Sequence, residues 1–209
     1  MKNLVIAILS TSFLVACGES ADPTGEVATL QFALTPSSAT QGVSSVALNV
    51  RDLEFDLPMP LTCADVEGQL VGARCELEDS PETSDDNPSL AKIVIDGPMN
   101  IDLRNTQNPL EGISIPDLAY SRLDIRIESQ GGYSILVEKG GQEYLFDFNE
   151  DIRFESRGGV RVTGGPILVE FDAAAWLQGV DMGSCTDEDS CDDVEDQLKD
   201  NLKNAGQLR

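Results

Sequence analysis

Val46-Ala47-Leu48-Asn49-Val50-Arg51-Asp52-Leu53-Glu54-Phe55-Asp56-Leu57 carries the decision about the fold. Val46, Leu48 and Val50 share one phase of a period-two pattern, and Leu53, Phe55 and Leu57 share the opposite phase. Successive strand residues face opposite sides, so a slip of one residue sends every side chain to the wrong face. A single continuous strand therefore needs a β-bulge near Arg51-Asp52. The alternative is two short strands that bend between sheets. Either arrangement belongs to a β-sandwich.

Working outward, the same period recurs. Leu30, Phe32 and Leu34 alternate with Thr29, Gln31 and Ala33, which predicts a half-buried strand ending at Thr35-Pro36. Ile93, Val94 and Ile95, then Met99, Ile101 and Leu103, fit two short strands or one kinked strand, with Gly97-Pro98 as the break. Leu123, Ile125 and Ile127 alternate with Asp124, Arg126 and Glu128 behind Tyr120, one face for the core and one for water.

Gly140-Gly141 supplies the two positive-φ residues of a type I′ hairpin turn. That turn sets Val137 opposite Tyr144, Ile135 opposite Phe146 and Tyr133 opposite Phe148, all on one face. These aromatics suit core packing better than a ligand-stacking platform. Ile152-Arg153-Phe154 and Val160-Arg161-Val162 read as short strands separated by Gly158-Gly159, with their register open, and Ile167 to Phe171 as another. Asp172 to Leu177 reads as one helical turn bearing the only tryptophan, Trp176.

The tail differs in kind. Ser190-x-x-Asp193 can cap a helix, Val194, Leu198 and Leu202 make a narrow stripe, and Gly206 is placed to stop it. The stripe docks on the sandwich or binds a partner helix-fashion.

Charge bounds the partners. Fourteen basic residues stand against 37 acidic ones, a net charge of −23. Such a field disfavours nucleic acid and anionic headgroups. Membrane attachment then has to come from acyl chains, and the sequence offers a place for them. Lys2, the apolar run from Leu4 and then Leu14-Val15-Ala16-Cys17 form a signal peptide that ends on a lipobox, with Cys17 as the lipidated residue. The run falls short of the about 20 apolar residues of a membrane span. Gly18, where aspartate would favour inner-membrane retention, points to the outer membrane, facing the periplasm or the cell surface.

Assigning Cys17 to lipid leaves Cys63, Cys75, Cys185 and Cys191, an even set in an exported chain. Of three possible connectivities, Cys63–Cys75 and Cys185–Cys191 close the shortest loops and meet most readily. Thiol metal sites are disfavoured, since there is no Cys-x-x-Cys and no histidine. The stretch Glu76 to Asp86 reads as a mobile, solvated acidic loop.

Asp187, Asp189, Asp192 and Asp193 are the best candidates for a Ca²⁺ site, because clustered carboxylates suit a hard cation. Cys191 and Asp192 nevertheless break the EF-hand spacing. The lack of histidine removes Ser-His-Asp and Cys-His nucleophiles, and phosphate and dinucleotide loops are missing. Paired carboxylates of a glycosidase are the remaining catalytic option, and no pair stands out.

Thr29-Leu30-Gln31-Phe32-Ala33-Leu34-Thr35, Val43 to Val50, Ile101-Asp102-Leu103, Ile115-Pro116 with Tyr120 to Leu123, and Ile167 to Asp172 together resemble the lipoproteins with a domain of unknown function and a prealbumin-like (transthyretin-like) β-sandwich. The resemblance covers roughly residues 27–182 and implies an envelope sandwich with no catalytic residues.

The expected organisation is a signal peptide over 1–16, a lipid-anchored tether over 17–26, a sandwich over 27–182, and a disulfide loop with a C-terminal helix over 183–209. The expected fold is all-β, an antiparallel Greek-key β-sandwich of about seven to nine strands plus that helix. The expected function is a non-enzymatic, lipid-anchored envelope protein that presents a binding or assembly surface to an envelope protein or glycan. A calcium-dependent carbohydrate- or ligand-binding module is the alternative.

Overall fold

A computed structural model describes residues 25–35, 41–77, 91–103, 108–160, 165–185, 188–203 and 206–208. In chain order the strands are β1 (Val27–Ala28), β2 (Leu30–Thr35), β3 (Val43–Asp56), β4 (Arg74–Leu77), β5 (Ala91–Asp102), β6 (Asn108–Pro109), β7 (Ile115–Pro116), β8 (Tyr120–Ile127), β9 (Ile135–Lys139), β10 (Gln142–Phe146), β11 (Glu150–Val160), β12 (Ile167–Asp172) and β13 (Gly206–Leu208). The α-helices are α1 (Cys63–Val66), α2 (Ala173–Trp176) and α3 (Glu188–Leu202).

The phase flip is a bulge inside one strand of 14 residues, β3. Against β8, Val50 faces Ile127 and Asp52 faces Arg126, so Arg51 is one residue too many. Against β5, Val50 faces Met99 and Asp52 faces Asp96, so Arg51 stands opposite Gly97 and Pro98. An odd insertion reverses the phase of β3, whereas the extra pair in β5 preserves its phase. Ile93, Ile95, Ile101 and Leu103 are accordingly all buried. A Cβ on Gly97 would lie 2.5 Å from the Arg51 carbonyl oxygen and 2.6 Å from that of Val50. Only glycine lets the two backbones approach this closely.

β3 is the spine of the seven-stranded sheet. One flank pairs with β5, and the other pairs first with β9 and then with β8. The outer strands are β10 beside β9, β11 beside β8 and β4 beside β5. The second sheet runs β13-β12-β2-β6. One apolar cluster joins Leu30, Phe32, Val169 and Phe171 of this sheet to Leu48, Leu53, Phe55 and Ile125 of the other. Phe154 and Phe171 meet edge to face across the layers, with centroids 5.2 Å apart.

Most of the pairing is antiparallel, as expected, but β12 runs parallel to β2. Parallel neighbours need a long connection, and here almost the whole domain lies between them. Among the described residues there are thirteen strands rather than the expected seven to nine, nine of them with four residues or more.

The hairpin follows its turn: Gly140 and Gly141 have φ of 64° and 81°, and Val137 pairs with Tyr144 and Ile135 with Phe146. Tyr133 and Phe148 do not extend this ladder. Buried Ser134 intervenes, donating its hydroxyl to the Phe146 carbonyl and accepting the Phe148 N–H, both at 3.0 Å. Val137, Phe146 and Phe148 are buried in the core and Tyr144 packs on it.

Three local expectations are corrected. Gly158-Gly159 does not separate two strands, because β11 continues to Val160 with a register shift against β8. Ser190 does not cap α3, which begins at Glu188 and so places Ser190 inside its first turn. Gly206 does not stop that helix: α3 ends at Leu202, and Gly206 opens β13 opposite Phe171. The pull of an unpaired edge on β12 outweighs the helical pattern there. Val194, Leu198 and Leu202 are buried, so the stripe docks on the fold. Asn201 Nδ2 reinforces the docking by donating to the carbonyls of Trp176 and Gln178 at 2.9 and 3.0 Å.

Candidate functional site

The bulge organises more than the core. Asn49, just before it, lies where β3 changes partner from β9 to β8, and a gap between those two strands has to be closed. Its N–H donates to the Ser134 carbonyl at 2.8 Å and its carbonyl accepts from the Glu128 N–H at 3.2 Å. Its Nδ2 donates to the carbonyls of Tyr133 and Gln130 at 2.7 and 3.2 Å. Its Oδ1 accepts from Asn100 Nδ2 at 2.8 Å. A buried amide is tolerated only when its hydrogen bonds are made, and here its donors and acceptors are all used.

The face of the larger sheet turned away from the core carries ranks of opposite charge. Cross-strand neighbours are Asp151, Arg126, Asp52 and Asp96 in one row, and Arg153, Asp124, Glu54, Val94 and Arg74 in the next. Arg126 donates from Nε to Asp151 at 3.0 Å and from Nη1 to Asp52 at 3.3 Å. Arg153 donates to Asp124 at 3.1 Å, Lys92 pairs with Glu54 at 2.8 Å, and Arg74 pairs with Asp96. Isolated surface pairs of this kind contribute about 0–1 kcal/mol each. Their chief consequence is that many of the scarce basic residues are held on one face.

Asp52 is the most enclosed of these acids in the first row. Burial pushes its carboxyl above the ordinary range, and the Arg126 guanidinium opposes that rise. The hydrogen bond to Asp151 holds the Arg126 guanidinium still more firmly protonated.

Beside this row a cleft of roughly 380 Å³ opens, lined by Arg51, Arg126, Ile127, Glu128, Asn149, Glu150 and Asp151. Bulges re-aim side chains, and this one presents Arg51 with its side chain 55% exposed. Among the described residues the nearest carboxylates to Arg51 are Asp52 at 3.6 Å and Glu128 at 3.7 Å. Asn149 Oδ1 accepts the Ser129 N–H at 3.2 Å and fixes the rim. Glu150 holds Lys199 at 3.4 Å and Lys203 at 3.5 Å, which ties α3 to the same corner.

The residues singled out in the sequence lie elsewhere. Cys17 is outside the described residues. Cys63 bonds to Cys75, which anchors α1 to the edge strand β4, and Cys185 bonds to Cys191 at the start of α3. Asp187 and the side chain of Asp189 lie outside the described residues, as does the Glu76 to Asp86 loop beyond Leu77, while Asp192 and Asp193 are exposed on α3. Among the described residues no three His, Cys, Asp or Glu side chains gather as metal ligands would, and no helix is long and apolar enough to cross a membrane.

The sequence reading missed Asn49 and the cleft. An asparagine at the centre of an apolar strand, next to the phase flip, was the available signal for the first. The cleft had none, since its lining comes from three separate stretches of chain. No protein-family model, curated protein or solved structure matches the chain at a significant level.

Proposed function

We propose that this chain is a lipid-anchored bacterial envelope protein, outer-membrane in location and attached through Cys17, whose domain is a non-enzymatic binding or assembly module. The observation that carries the reading is the fate of the cysteines. Four are consumed in two disulfides, as suits an oxidising compartment. The fifth closes Leu14-Val15-Ala16-Cys17.

The fold belongs with Greek-key, prealbumin-like sandwiches in this reading. Support comes from Tyr120, which opens β8 and donates its buried hydroxyl to the Pro116 carbonyl at 2.7 Å. That is the arrangement of a tyrosine corner in Greek-key sandwiches. The binding side of the reading rests on the charge-ranked face and the cleft at its margin.

Its test is photo-crosslinking in intact cells from a probe at Asp151, on the cleft lining with its side chain exposed, with an equivalent probe at Lys139, the last residue of β9, as the control. A discrete crosslinked species from Asp151 and background from Lys139 is the expected result. Background from both would remove the binding surface from the proposal.

A further inference from the structure

We infer that the cleft takes a small zwitterion, an α-amino acid or the end of a short peptide, held by Arg51 and Glu128. The inference rests on the binding reading above and gives it a ligand class. Arg126 spends Nε on Asp151 and Nη1 on Asp52, and Glu150 is engaged by two lysines. Arg51 and Glu128 are the least engaged charges of the lining. They stand 3.7 Å apart with side chains 55% and 42% exposed, and among the described residues Arg51 has no carboxylate within hydrogen-bond distance.

A guanidinium offers its N–H donors as a fork matched to a carboxylate. A carboxylate ion accepts from an ammonium. A ligand carrying both groups on neighbouring atoms can lie antiparallel to the Arg51–Glu128 pair and exchange one ion pair for two. A plain anion would meet Glu128, Asp151 and the field of a chain of net charge −23. A plain cation would meet Arg51 and Arg126. The volume, near the lower end of the about 300–1,000 Å³ of small-molecule sites, suits one or two amino-acid residues.

The test is titration of the soluble Cys17→Ser chain with glycylglycine, followed by amide NMR, with acetate and ethylammonium as single-charge probes. Glycylglycine should give saturable shifts confined to the cleft, and each single-charge probe should bind at least about tenfold more weakly. Arg51→Gln and Glu128→Gln should each weaken glycylglycine by about tenfold, about 1.4 kcal/mol. Absence of saturable shifts, acetate equal to glycylglycine, or unchanged binding in both variants would overturn the inference. Should Arg51→Gln lose the folded spectrum, Glu128→Gln decides. A specific crosslink from Asp151 alongside a failed titration would leave the binding surface standing and remove only the zwitterion.

Discussion

Single residues decide where this sheet can divide. Asn49 closes the gap between β8 and β9, and truncating it leaves the part-buried Gln130 carbonyl without this donor and Asn100 without its acceptor, while the Tyr133 carbonyl keeps the Gln130 N–H. An unmatched buried polar group costs about 1–3 kcal/mol, so Asn49→Ala should lose about 1–2 kcal/mol in denaturant unfolding. A loss within the scatter of surface substitutions would show that water replaces the amide.

The carboxylates give opposite pH signatures. Burial raises the Asp52 pKa, so the folded state holds that proton more tightly than the unfolded chain. Its unfavourable contribution above the folded pKa is relieved as the pH falls through that value. The stability of the wild type relative to Asp52→Asn should therefore improve as the pH is lowered from 7 towards about 4. Asp65 runs the other way. Its pKa is lowered by hydrogen bonds from the Thr62 hydroxyl and N–H, so its support is present above the ordinary aspartate value and is lost as the pH falls through the folded one. Relative to Asp65→Asn, the wild type should lose its advantage on acidification. Urea midpoints across the pH range check both signs.

At the scale of elements, the bulge and the docked helix are the testable joints. Gly97→Ala would drive a methyl into the carbonyls of Val50 and Arg51, and the cost should reach about 3 kcal/mol, the upper part of the usual range. Leu198 is fully buried in the core cluster, and Leu198→Ala should cost about 2–5 kcal/mol by calorimetry. A helix held in reserve for a partner would lose little.

These same joints mark what could be read from the sequence. The phase reversal between Val50 and Leu53 reported the bulge because one face of β3 is buried and a period of two leaves no other single-strand solution. Gly140-Gly141 reported the hairpin because the turn itself fixes the register. Gly158-Gly159 misled because two glycines serve a wide irregularity within a strand as readily as a turn. Gly206 misled because the edge of β12, the competitor to helix termination, is supplied by residues more than 30 positions upstream. The parallel meeting of β2 with β12 and the gathering of Arg51, Arg126 and Asn149 are products of tertiary pairing. No local pattern encodes them.

For the whole molecule, the two disulfides and the proposed anchor set the conditions under which it exists. Cys63–Cys75 closes a loop with a sequence separation of 12. Cross-links of that size contribute about 3 kcal/mol in the chain-entropy picture, so the Cys63→Ser, Cys75→Ser double variant should unfold at a correspondingly lower urea concentration. Chelation should leave the melting temperature unchanged, and a fall would revive the calcium-dependent alternative at Asp187, Asp189, Asp192 and Asp193.

A net charge of −23 leaves little electrostatic attraction to an anionic bilayer, which makes Cys17 the attachment on which the account depends. The most direct measurement compares wild type and Cys17→Ser in fractionated cells, with the N-terminal mass of the mature chain read in parallel. The expected result is a wild-type protein in the membrane fraction that begins at an acylated Cys17, and a Cys17→Ser protein in the soluble fraction. A Cys17→Ser protein that stays with the membrane, or a wild-type chain with an unmodified Cys17, would contradict it.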